Sequence, residues 1–198
     1  DFSSQFKIYE VTSEFVKVFK ERTYEHILGV RKYFDILTSD TSNRSIFELK
    51  SLSKYKSERI DKHDNDKLDD ERVVRLFACK YARTHLGVPF NDGEAAILKS
   101  IEKEHRSNSP HHPEYYYNAD TGLCMIGEMS VYYILEMVAD WMSCGECNGN
   151  NPLEWALQKF GHAPYCFTEE TRNIIINAIN KCMPEFLNAR GKGSPLTK

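Results

Sequence analysis

Five of the seven histidines fall in three places along the chain: His26, then His63 beside Asp64, then His105 with the pair His111 and His112. A lone histidine is more often a satisfied core or surface residue than a ligand, but three such groups together with an aspartate on an apolar helix form a different pattern. That aspartate is Asp140, in SVYYILEMVADW, where a carboxylate is costly to bury without a partner. Something positive must face it. Glu136 lies one turn earlier on the same face, and two carboxylates so placed repel unless a cation, an arginine or a proton relieves them. A plain structural salt bridge would meet that need, and so would a metal ion. Neutral imidazoles and carboxylates are the ligand set of zinc, manganese or iron, and a His-Asp neighbour pair lets one turn offer both a nitrogen and a bridging oxygen. His85 and His162 match no such group and are read as bystanders.

The elements that would position these residues are helical. No stretch sustains period-two alternation of β-branched residues between turn signals, so the expected fold class is all-α. Phe6, Ile8, Val11, Phe15, Val18 and Phe19 predict a first amphipathic helix, and Ile27, Val30, Phe34 and Leu37 continue the pattern in a second segment that carries His26. Ser45 to Leu52 is a shorter candidate. Charge crowds Lys54 to Arg72, which reads as a solvated face or mobile loop apart from the His63 and Asp64 inside it. Val73, Val74, Phe77, Tyr81 and Leu86 predict a helix stopped by Gly87 and Pro89, after which Asn91 or Asp92 can cap a helix from Glu94 to about Arg106, with His105 in its last turn. Ser107 to Leu123 reads as an ordered loop, and a long loop inside a compact domain is usually functional. The most apolar helix is expected from about Ile126 to Ser143, followed by a turn over Gly145 to Asn151. Pro152 can open a short helix to Phe160, and Thr168 can cap a final one. One helical domain over residues 1–189 with a tail over 190–198 is the expected organisation.

Composition narrows the partners. A chain of 198 residues with 41% hydrophobic content can bury one substantial core. A net charge of −3 gives no bulk electropositive footprint for nucleic acid, while leaving room for a small anionic ligand. No run of about 18 apolar residues exists, so no membrane-spanning helix is expected, and the reading is a soluble, cytoplasmic protein. Beginning at Asp1 without a basic and apolar leader means either prior processing or an excised piece. The six cysteines are read as reduced thiols, because Cys144 and Cys147 have no second pair at zinc-ribbon spacing.

The order H, HD, H, HH, D resembles the HD-domain superfamily of metal-dependent phosphohydrolases, whose ligands come from separate helices of an all-α bundle. Lys67 fits as well, because many members carry HDxxK and this chain has HDNDK. The loop HRSNSPHHPEYY and the helix segment EMVADW look like an uncharacterised HD-like branch with HxxNxHHPEYW, HDxSK and EMxxDW. This chain departs from it in Asp66 where serine is usual, in one extra residue before the histidine pair, and in Tyr116 where tryptophan is usual.

The resemblance implies one or two divalent transition ions (Mn, Fe, Zn, Co or Ni). His26, His63, Asp64 and Asp140 would hold the first, and Asp64, His105, His111 and His112 the second. In that scheme two ions about 3.5 to 4 Å apart share a hydroxide that attacks phosphorus in line. Lys67, His111 and His112 would stabilise developing charge on a small phosphorylated substrate, a nucleotide or relative. His105 and His111 are six positions apart across Pro110, so which histidines meet a second ion, and which meet phosphate or act as general acid, stays open. Asn108, Glu114 and Glu136 could orient ligand imidazoles, with loop capping the alternative for the first two. Tyr115, Tyr116 and Tyr117 could stack on a base or simply pack. A di-iron oxygenase on the same scaffold and a non-catalytic metal-bound helical module are the competing readings, and the oligomeric state is left open.

Overall fold

The computed structural model describes residues 13–87 and 92–191. Their elements are α1 (Ser13–Thr38), α2 (Ile46–Glu58), α3 (Asp66–Asp69), α4 (Glu71–Leu86), α5 (Asp92–Asn108), α6 (Val131–Asn148), α7 (Pro152–Lys159) and α8 (Glu169–Gly191), with short 3₁₀ turns at Ile60–Lys62, Pro113–Tyr116 and Ile126–Glu128. Among the described residues there is no strand, only a single bridge between Tyr117 and Cys124. The protein is all-α, as expected. The apolar positions Phe6, Ile8 and Val11, the stop at Pro89, the cap at Asn91 and the tail from residue 192 lie outside the described residues.

Local chemistry sets the helix ends. Ser45 and Glu48 close a reciprocal capping box on α2, Asp70 accepts from the amides of Arg72 and Val73 on α4, and Asn151 does the same for Leu153 and Glu154 before Pro152 in α7. Thr168 accepts from the amide of Thr171 and starts α8. Gly87 and Gly149 end α4 and α6 in the left-handed region that glycine enters at little cost.

Three boundaries differ from expectation. α1 is one continuous helix, because the polar stretch between its two apolar segments contains no breaker and a single Gly29 costs a helix only about 1 kcal/mol. α2 runs past Leu52 to Glu58, so much of the charged segment is helical. α6 begins at Val131 and continues through Gly145 to Asn148, so the expected Gly/Asn turn is reduced to the residues around Gly149. Gly145 is retained inside the helix because Pro152 and the Asn150 carbonyl lie where its Cβ would be.

The chain divides into two compact units. One comprises the described chain up to Glu25 with Asp64–Asn108. In it Leu76 and Cys79 of α4 pack on Leu98 of α5, and Lys80 pairs with Glu102 across the same helices. Phe19 of α1 stacks on Phe77. The other comprises His26–His63 and Ser109 onward. Its core is built from Tyr33 and Phe34 of α1, Met137 and Met142 of α6, and Ile179 and Phe186 of α8, all essentially without solvent contact. Burial of this set is the main stabilising term, on the order of 1.5–3 kcal/mol per large apolar side chain. α6 is buried on nearly every side, Glu136 and Asp140 included. None of the described helices is long and apolar enough to cross a membrane.

Candidate metal centre

In the second unit the donor atoms gather around α6. Glu136 has no solvent exposure, and its Oε1 lies 3.0 Å from His63 Nδ1 and 3.1 Å from His111 Nδ1. Its Oε2 accepts a hydrogen bond from the Tyr55 hydroxyl at 2.5 Å, and the Arg59 guanidinium stands 3.9 Å away. Burial would raise this carboxyl, yet the His111 and His63 contacts hold it far below the usual carboxylate range. An ionised Glu136 can accept the Nδ1 proton of a ring, which fixes that ring's orientation and points its Nε2 the other way. For His63 the Nε2 faces Asp140 Oδ1 at 3.7 Å. For His111 both ring nitrogens are buried, Nδ1 standing 3.1 Å from Glu136 Oε1 and Nε2 without a hydrogen-bond partner among the described residues.

Asp140, one turn after Glu136, finds its partner in His26, whose Nε2 lies 3.1 Å from Oδ1. Burial works against the ionised Asp140, but His26 and His63 hold its carboxyl well below the ordinary range. For His26 burial lowers the pKa, whereas Cys144 and Asp140 raise it, to about 9. The other ring nitrogen, Nδ1, is 3.0 Å from Ser143 Oγ, and the Ser143 hydroxyl donates to the His26 carbonyl at 2.9 Å. With its single proton committed there, Ser143 accepts from Nδ1 and so directs Nε2 toward Asp140. His63, His111 and Asp140 offer donor atoms within 4.8 Å of one another, and so do His26, Asp140 and Cys144. His112 stacks against His111, with centroids 4.3 Å apart, but enters none of the convergent groups among the described residues. Imidazoles around an ionised, buried carboxylate are a donor set that fits a divalent transition ion once their Nε2 protons are lost to it.

The first unit carries its own group. Asp64 is the only non-glycine residue with positive φ (58°) among those described, so strain of about 1–2 kcal/mol sits on the residue that follows His63. Its Oδ2 accepts from Lys67 Nζ at 2.7 Å and its Oδ1 lies 3.2 Å from His105 Nε2. His105 Nδ1 meets Asp66 Oδ2 at 2.6 Å. Burial lowers the His105 pKa, but Asp64 and Asp66 together raise it. Asp66, noted in the sequence only as a replacement for serine, therefore does for His105 what Glu136 does for His63. Asp64, Asp66 and His105 form a third convergent group.

A family model described as a family of unknown function (DUF5662) matches residues 16–181. The chain belongs to that family. The match spans every residue of these donor groups. No curated protein and no solved structure matches the chain.

Sequence reasoning missed Cys144 and Ser143. Cys144 was legible as an i+4 neighbour of Asp140, but the CxxC pattern and the glycine after it drew the segment as a turn. Ser143 carried no signal, because its role depends on α1 coming close to α6 at Gly29. Of the other candidates, Asn108 ends α5, Glu114 lies in the Pro113–Tyr116 turn, Tyr116 packs against the core and Tyr115 is exposed.

A Cβ on Gly29 would stand 3.0 Å from Ser143 Cβ and collide with Ser143 Oγ. Alanine in a helix normally gains about 0.5–1 kcal/mol over glycine, whereas overpacking a buried contact costs about 1–3 kcal/mol. Ser143 can yield only by giving up its bonds to His26. Gly29→Ala is expected to destabilise the protein by about 1–2 kcal/mol in a denaturant titration, and an unchanged or raised midpoint would contradict the close approach.

Proposed function

We propose that this chain is an HD-type metal-dependent phosphohydrolase acting on a nucleotide or a related phosphoester. The observation that carries the reading is the double contact of Glu136: one oxygen of a wholly buried carboxylate lies 3.0 Å from Nδ1 of His63 and 3.1 Å from Nδ1 of His111, and both rings offer donor atoms within 4.8 Å of Asp140. A carboxylate that orients two ligand histidines is the usual outer partner of a metal site. His26, His63, His111 and Asp140 would hold the ion. Bound there, a transition metal supplies a water of lowered pKa and a Lewis acid for a phosphoryl oxygen.

The chain's own residues supply the rest. Glu136 and Ser143 fix the ring orientations before any ligand arrives, so no reorganisation is needed during reaction. Tyr55 spends its proton on Glu136 and keeps that carboxyl an acceptor. The HD resemblance gives Asp64 and His105 places as ligands, and Lys67 the role of neutralising a phosphate oxygen. His112, outside the donor groups, is then suited to meet substrate or pass a proton to the leaving group.

The test is a panel of phosphomonoesters, phosphodiesters and nucleotides incubated with the protein and manganese, read by phosphate or nucleoside release. Turnover of at least one class that is lost on Lys67→Met supports the reading. No release from any substrate, together with oxygen uptake by an iron-loaded sample, would replace it with the oxygenase.

A further inference from the structure

Cys144 follows Asp140 by one helical turn on α6, so the two side chains leave the same face. Its Sγ lies 3.5 Å from Asp140 Oδ1 and 4.0 Å from His26 Nδ1, and it joins His26 and Asp140 in a group whose donor atoms are within 4.8 Å of one another. Asp140 is shared with the group that contains the buried His111 Nε2, which has no hydrogen-bond partner among the described residues. A tetrahedral ion with nitrogen and oxygen ligands at about 2.0 Å and sulfur at about 2.3 Å spaces its donors by roughly 3.3–3.6 Å. The 3.5 Å between Cys144 Sγ and Asp140 Oδ1 already falls in that range.

We infer that Cys144 is a direct thiolate ligand of the ion held by His26 and Asp140. The inference rests on the metal reading above and deepens it. A site of imidazole, carboxylate and thiolate favours zinc, iron or cobalt over magnesium and manganese, because the sulfur is soft. On binding, the S–H bond breaks, its proton leaves to solvent and the sulfur lone pair forms the bond to the ion, with no change of oxidation state. Without an ion, the thiol donates to Asp140 Oδ1. Serine preserves that donor and nearly the same volume while removing the soft ligand, so Cys144→Ser separates the two roles.

The experiment titrates the metal-free full chain with cobalt(II) chloride and follows two absorptions: the visible bands that report cobalt binding and the near-ultraviolet band of sulfur-to-cobalt charge transfer. The unsubstituted protein is expected to develop both. Cys144→Ser is expected to keep the visible bands, lose the charge-transfer band and bind cobalt at least about tenfold more weakly, since outer partners alone contribute 10- to 100-fold. In the unsubstituted protein cobalt is also expected to slow alkylation of Cys144 by iodoacetamide, read by peptide mass. Cobalt binding without the charge-transfer band, a band that survives in Cys144→Ser, or alkylation of Cys144 that cobalt does not slow would each overturn the thiolate and leave the metal reading standing. No cobalt binding at all would overturn both.

Discussion

Asp140→Asn is expected to lower the affinity for a divalent transition ion by more than about 100-fold and to abolish phosphohydrolase turnover, with the helical fold retained. The size follows from its position: removing an outer partner of a metal site costs 10- to 100-fold, and Asp140 is shared by both donor groups of its unit. Asparagine keeps the volume and an acceptor for His26 Nε2, which lies 3.1 Å from the present carboxylate. What it removes is the charge. The cost to the metal-free fold is therefore limited to about 1–3 kcal/mol, the range for a weakened buried hydrogen bond. Isothermal titration with zinc or cobalt, beside circular dichroism of the same sample, reads the two effects separately. Undiminished metal binding in a folded Asp140→Asn protein would remove Asp140 from the site.

The second large effect is on stability. Glu136→Ala removes a carboxylate that meets His63 Nδ1, His111 Nδ1 and the Tyr55 hydroxyl together, from a position without solvent contact. Deleting one partner of a buried, hydrogen-bonded charge set costs about 3–5 kcal/mol, because the groups left behind lose a charged partner at a site without solvent contact. For a chain of this length that lowers Tm by roughly 6–20 °C. Glu136→Gln, which keeps the shape and one acceptor oxygen, is expected to lose less than half as much. Thermal melts of the metal-free proteins separate them, and an alanine variant as stable as the parent would show that Glu136 is not the organising group.

Much of this was legible in the sequence, for identifiable reasons. Apolar residues almost all round the segment from about Ile126 to Ser143 announced a buried helix, and a buried helix made Glu136 and Asp140 conspicuous, since two carboxylates there demand partners. The helix start read at Ser45, the opening at Pro152 and the cap at Thr168 lie where the helices begin. What could not be read is whatever depends on two segments meeting. The Ser143 bond to His26 exists only because Gly29 lets α1 approach α6, and the contact of Asp66 with His105 joins residues 39 positions apart. Asp64 in the left-handed region is equally silent, because aspartate tolerates several backbone conformations and sequence alone does not choose among them. The charged run from Lys54 to Arg72 read as a solvated face apart from His63 and Asp64, and those two are buried, with His63 only 2% exposed.

The central claim, that His26, His63, His111 and Asp140 hold a divalent transition ion, is tested most directly by elemental analysis. The protein is stripped with chelator, reloaded with an equimolar mixture of manganese, iron(II), cobalt, nickel and zinc, and desalted. The expected result is about one or two ions retained per chain, with the Asp140→Asn protein at background in the same run. Metal at background in the unsubstituted, folded protein would contradict it.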